Sequence, residues 1–409
     1  MDRACDLPTL NSAADIVSSQ SLTVASVGPR PARPIDPAVS NEFALLHACC
    51  HWDTGLLKSA LSRDMQWERV FSLAAYHRIL PALHARLQGR GEVPASIQAV
   101  LRARYLTHCQ RAMRFSAELV GILRQFQSKG IPVIAQKGPV LAQALYGDGA
   151  AREFGDLDLL VPPAEVNRAA AALRDLGYEK NLQLPPRQEE AYLRSGYEYV
   201  FGRGPEPNLV ELQWNLLPRF YAVDWDVEGL FARSKACGFE GARARVLSRE
   251  DQLMFLCVHA AKHQWAQLGM VRDIAAAAQG GIDWELVLSE TCRLGVKRVL
   301  AISLLLAQSL LGVELQAEVL SRMDVERNRK LVPAIQSNLA KGREIPAESA
   351  AYFHFMTKVR ERWQDRARFA WRLATTHSVG EWQALRIPDA LFPLYSGVRV
   401  FRLIRRMLG

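Results

Sequence analysis

Apolar positions recur at helical spacing from Asn41 to about Lys129. Trp67, Val70, Phe71 and Ala74 mark one amphipathic face, and Ile79 and Leu80 carry that run on to Pro81. Residues 97–129 predict one or two further helices, ending at Gly130. The period then changes. Ile131–Gln136 reads as a short buried strand, and Val140–Leu145 as a helix closed by Tyr146-Gly-Asp-Gly. Asp156–Val161 reads as a strand stopped by Pro162-Pro163, and Ala164–Leu176 as a helix ending at Gly177. Tyr197–Phe201 and Leu209–Trp214 predict two more strands around a Gly- and Pro-rich turn. Beyond Arg249, residues 250–278 and 284–311 return to long helical runs.

This pattern predicts an α+β protein: a small mixed-sheet core flanked by helical regions. The expected divisions are a disordered tail over 1–38, an N-terminal helical region over 39–120, an α/β core over 121–235 and a C-terminal helical domain over 236–409. The tail assignment rests on Gly28-Pro-Arg-Pro-Ala-Arg-Pro-Ile-Asp-Pro, whose prolines exclude both a regular helix and a central strand.

Composition narrows the class. A length of 409 residues and ordinary apolar and charged fractions suit a globular protein with a sizeable core. The net charge of +9 points to an anionic partner or to an Arg-rich solvated surface. Seven cysteines with no CxxC pair argue against a disulfide framework and fit reduced thiols in a cytoplasmic setting. No apolar run is long enough for a transmembrane segment, and the N-terminus lacks a signal-peptide pattern.

The chemistry centres on Arg152-Glu-Phe-Gly-Asp-Leu-Asp-Leu-Leu-Val. In a strand, Asp156 and Asp158 project from one face. Two adjacent carboxylates repel unless a cation lies between them, and Mg²⁺ (or Mn²⁺) prefers such oxygens. An isolated Asp-x-Asp pair is more often structural. Its surroundings raise its value. Lys137-Gly138-Pro139 falls at a strand-to-helix junction, where Gly138 lets backbone approach a phosphate and Lys137 adds charge. Arg152 can meet phosphate oxygens, or it can compensate the aspartates. In Val210-Glu-Leu-Gln-Trp, Glu211 and Gln213 share a strand face, so Glu211 becomes a third carboxylate if this strand neighbours the first.

Lys137-Gly-Pro-Val-Leu-Ala-Gln-Ala-Leu-Tyr-Gly-Asp, then Arg152 and Gly155-Asp-Leu-Asp-Leu-Leu-Val, resembles the uncharacterised bacterial nucleotidyltransferases of the polymerase-beta-like superfamily. Val210-Glu-Leu-Gln-Trp, His259-Ala-Ala-Lys-His-Gln-Trp, Arg272-Asp273-Ile and Ala75-Tyr-His-Arg-Ile-Leu-Pro are similar to that family too. The resemblance implies transfer of a nucleoside monophosphate from an NTP donor, with Asp156, Asp158 and Glu211 as catalytic and metal-binding residues. It also implies that Lys137, Gly138, Arg152, His259 and His263 bind the nucleotide. Two departures stand out: Pro139 replaces a common Ser, and Gln213 stands where relatives often carry His. They motivate an alternative, a nucleotide-binding or scaffold protein without turnover. The acceptor is open among small molecules, peptides, proteins and RNA.

Other features carry less. His259 and His263 share a helix face at i, i+4, but the His-Glu-x-x-His base is absent, so zinc is disfavoured. Asp273 could orient these histidines. His77 and Arg78 suit a helix end through the dipole, a structural role. Ten arginines lie between Arg360 and Arg406, and Val400–Leu408 is a basic amphipathic end. It suits contact with anionic lipid or RNA, although a solvated helix face is the simpler reading.

Overall fold

The computed structural model describes residues 40–408 except Trp52, residues 347–348 and Arg386. The expected tail over 1–38 lies outside the described residues.

Among the described residues, five helices precede the sheet: α1 (Asn41–Cys50), α2 (Thr54–Leu61), α3 (Trp67–His77), α4 (Leu80–Leu87) and α5 (Ala95–Ser128). The side chain of Ser40 caps α1 by accepting from the Phe43 amide. The α3 run does not continue to Pro81. Arg78 adopts a left-handed conformation with φ of 53°, which closes α3, and Pro81 falls in the first turn of α4. The predicted helix or helices over 97–129 form the single 34-residue α5.

The sheet has five strands: β1 (Ile134–Ala135), β2 (Leu157–Leu160), β3 (Glu179–Lys180), β4 (Glu198–Arg203) and β5 (Glu206–Gln213). Their spatial order is β1-β2-β5-β4-β3. β2 and β5 run parallel and the other pairs antiparallel, so the sheet is mixed and the class is α+β. Helix α6 (Gly138–Tyr146) links β1 to β2, α7 (Val166–Asp175) packs on β5, and α8 (Pro186–Ser195) precedes β4. Next come α9 (Val227–Arg233) and a hairpin of β6 (Lys235–Phe239) and β7 (Ala242–Val246). The hairpin turns at Glu240 and Gly241, both with positive φ.

The C-terminal half opens with α10 (Arg249–Lys262), α11 (Leu268–Ala277), α12 (Trp284–Leu294) and α13 (Lys297–Leu311). Further helices follow, among them Trp363–Thr375 and the C-terminal Tyr395–Leu408. No helix among the described residues is long and apolar enough to cross a membrane.

Two large apolar cores result. One joins the N-terminal helices to α10–α13 and the helices after them, through residues such as Phe43, Leu83, Leu253 and Leu304. The other lies around the sheet and takes in Phe115 and Phe126 of α5, Leu157, Leu212 and the hairpin residue Phe239. Helix α5 serves both, since Leu101 belongs to the first core and its second half to the other.

Candidate active site

Parallel pairing of β2 with β5 sets Asp158 directly opposite Glu211. Alternation sends Leu157 and Leu159 into the sheet core and turns Asp158 the other way. The strand begins at Leu157 rather than at Asp156, so Asp156 sits on the loop just before it and lines the cleft. On the far side of β5, β4 places Glu198 opposite Gln213. Asp156, Asp158, Glu211 and Glu198 thus gather at one face of the sheet.

Lys137 is the cation among them. Its ammonium lies 2.7 Å from Asp158 Oδ1. Burial alone would lower its pKa, but Asp158, Asp156 and Glu211 outweigh that and hold the ammonium above its usual range. Gly138 follows with φ of 67°, a conformation that favours glycine, and starts α6. Pro139 occupies the first turn of α6, where it removes one of the free amides.

Gln213 ties the acids together. Its amide nitrogen donates to Asp158 Oδ1 at 3.2 Å and Glu211 Oε2 at 3.0 Å, while its oxygen accepts from Gln136 at 2.8 Å. The second oxygen of Asp158 is buried and has no hydrogen-bond partner. Burial raises the pKa of Asp158, Asp156 and Glu198, and burial together with Glu198 pushes Glu211 up to about 7. The cluster is crowded with negative charge that Lys137 only partly offsets.

The cleft above these acids has a volume of about 240 Å³. Its opposite wall comes from α10 and α11. His259 and His263 both line it, with ring centroids 4.9 Å apart. Burial and the nearby Lys137 hold His259 well below the usual imidazole range, so it is neutral. Lys262 also lines the cleft and donates to the Tyr197 hydroxyl at 3.1 Å. Burial lowers its pKa.

Arg152 pairs directly with Asp273 and offsets Asp156 only through its longer-range charge. Its Nε bonds Asp273 Oδ2 at 2.6 Å, and the Tyr146 hydroxyl donates to the other oxygen at 2.7 Å. Asp273 therefore orients Arg152 and not the histidines, because α11 packs against α6 and turns Asp273 toward Tyr146. Beside it, Arg272 stacks on the Tyr146 ring at 4.1 Å and donates to the Ala151 carbonyl. Arg78, assigned to a helix end, also lines the cleft: its left-handed backbone breaks the helix and turns the side chain inward. Gly269 permits this junction, since a Cβ there would meet the His77 carbonyl at 2.8 Å.

All eight residues singled out from the sequence fall in or beneath this cleft. Sequence reasoning missed Glu198, Lys262 and Arg78. Glu198 had a signal in the alternation of β4, but only the register with Gln213 gives it meaning. Lys262 lay within the noted His259–His263 stretch.

Among the described residues, no three His, Cys, Asp or Glu side chains form a ready metal shell. The donor set nonetheless suits a hard dication: carboxylate oxygens, one of them buried without a partner. In the present arrangement Lys137 supplies the nearest positive charge, with Arg78, Arg152 and Lys262 acting from further off.

The fold and cleft define an α+β protein with a sheet-borne acidic cluster facing a basic helical wall. Residues 63–312 match the family model described as "Uncharacterised nucleotidyltransferase", and the chain belongs to that family. Neither a curated protein nor a solved structure matches it.

Proposed function

We propose that this cleft transfers a nucleoside monophosphate from an NTP to an acceptor and releases pyrophosphate. The observation that carries the reading is the Asp158–Glu211 register beside Asp156, with a buried Asp158 oxygen left unpaired. Asp156, Asp158 and Glu211 would hold Mg²⁺, which when bound neutralises phosphate charge and polarises the reacting phosphorus centre. Arg152, locked by Asp273, and Lys262 of the facing wall bind the phosphate oxygens. Lys137 balances the acids until the nucleotide arrives. The acceptor oxygen attacks the α-phosphorus while the bond to pyrophosphate breaks, and Glu211 takes the acceptor's proton. Neutral His259 leaves room for a dipolar contact without added charge. The test is incubation with labelled NTPs, Mg²⁺ and an acceptor panel. Label transfer by the wild type that is lost in Asp156→Asn supports the assignment, and equal transfer by both sinks it.

A second reading, nucleotide binding without turnover, is favoured by Pro139 in the first turn of α6 and by Lys137 lodged against Asp158. NTP binding with no transfer across the panel would decide for it.

A further inference from the structure

Among the described residues, eleven large apolar side chains stand exposed, and eight of them lie between Trp363 and Ile404. That segment is about a tenth of the chain, so the clustering is not the ordinary scatter of surface hydrophobics. Trp363 and Trp371 are 71% and 70% exposed, and Phe401 is 67% exposed. Leu391, Leu394 and Ile404 stand out as well.

The two helices concerned pack on each other. Arg399 Nε donates to the Leu373 carbonyl at 3.1 Å, and the Ser396 hydroxyl reaches the Thr375 carbonyl at 3.4 Å. Their buried positions include Phe369 and Leu373 on one and Tyr395, Arg399 and Leu403 on the other. The usual arrangement is inverted in part: on the C-terminal helix an arginine faces in beside Tyr395 and Leu403, bonded to backbone and to Glu381, while Phe401 and Ile404 face out. A helix that only needed a solvated face would expose the arginine.

Charge selects the partner. From Arg360 to Arg406 the sequence has ten arginines against the four carboxylates Glu361, Asp365, Glu381 and Asp389. A second copy of the chain would bring the same positive surplus and repel. An RNA face would present its arginines, yet here Arg362, Arg368, Arg372 and Arg402 are engaged with Asp365, Asp224 and Glu381. Among the described residues, the outward side chains include Trp363, Trp371, Phe401, aliphatic surface and Arg405, a composition suited to the headgroup–acyl boundary of an anionic bilayer.

We propose that the surface formed by helices Trp363–Thr375 and Tyr395–Leu408, with the Asp389–Leu394 turn between them, docks the protein on anionic lipid. The apolar side chains enter the interface, and the positive surplus supplies the attraction. This is independent of the chemistry in the cleft.

The test is co-sedimentation of the full chain with vesicles of phosphatidylglycerol plus phosphatidylcholine, and with phosphatidylcholine alone. Poly(U) binding and sedimentation equilibrium without lipid complete the set. The expected result is partition onto the anionic vesicles, weak partition onto neutral ones, and a roughly tenfold or greater loss in Phe401→Asp and in Ile404→Asp. Both positions are exposed, so unchanged thermal unfolding checks that the variants fold. No partition by the wild type, equal partition by folded variants, or equal partition onto neutral vesicles overturns the proposal. A dimer that these substitutions dissociate overturns it in favour of a second copy. Poly(U) binding lost in the variants without lipid binding overturns it in favour of RNA.

Discussion

Two buried aspartates, one in each large core region, show how differently this protein treats the same group. Asp251, at the start of α10, receives Arg233 through two bonds of 2.9 Å, one to each oxygen, and Ser248 as well. Asp158, on the sheet, shares one oxygen between Lys137 and Gln213 and leaves the other without a partner. Both are almost fully buried. In the helical core a charge is tolerated because both carboxylate oxygens are answered. On the sheet one buried carboxylate oxygen is left without a hydrogen bond among other acids, which costs stability and is the arrangement expected where a ligand completes it.

Mutation should separate the two cases. Asp156→Asn, beside Asp158 in the cleft, is expected to lower label transfer roughly hundredfold or more, a size typical of a lost electrostatic contact to the transition state. Because it removes repulsion, its denaturation midpoint should equal or exceed the wild type. A fall in stability matching the loss of transfer would erase the distinction. Asp251→Ala should do the reverse. It removes the carboxylate that Arg233 and Ser248 bond and is expected to cost about 1.5–3 kcal/mol in chemical denaturation, with NTP affinity retained by the folded fraction.

The helical core also contains a pH response that the cleft does not set. Burial lowers His47 and His77 to about 4 each. Their folded pKa lies below the ordinary 6.5, so the unfolded chain binds more protons between these values. Stability from this source is complete above about pH 6.5 and falls as the pH drops toward 4, by up to about 3 kcal/mol for each histidine. Unfolding free energy measured across this range should show the slope, and a flat profile would mean the imidazoles are not held neutral. The smallest effect is expected at Asp273. In Asp273→Asn, Arg152 loses its charged anchor, and NTP affinity should weaken by about tenfold. Unchanged affinity in an equilibrium binding assay would leave Arg152 no phosphate role.

The same contrast explains what the sequence made legible. Helical periods and the apolar strands were readable because burial of one face leaves a period, and Asp156, Asp158, Glu211 and Lys137 were readable because unusual charges interrupt that period. Arg78 was not, since its left-handed backbone follows from packing against Gly269 and leaves the apolar pattern intact. The β6–β7 hairpin escaped because Lys235-Ala-Cys-Gly-Phe is only weakly alternating, although Glu240-Gly241 is a turn signal. Glu198 and the true partner of Arg152 depend on register and helix packing, which are non-local.

Helix α5 has a consequence of a mechanical kind. Its 34 residues span about 51 Å at the standard rise. Leu101 is anchored in the helical core and Phe115 through Phe126 in the core of the sheet. It acts as a stiff beam with a footing in each. Ile134, Leu141 and Leu160 of the sheet region also belong to the helical core, so the rod reinforces a direct apolar tie and the two cores should unfold in one cooperative step.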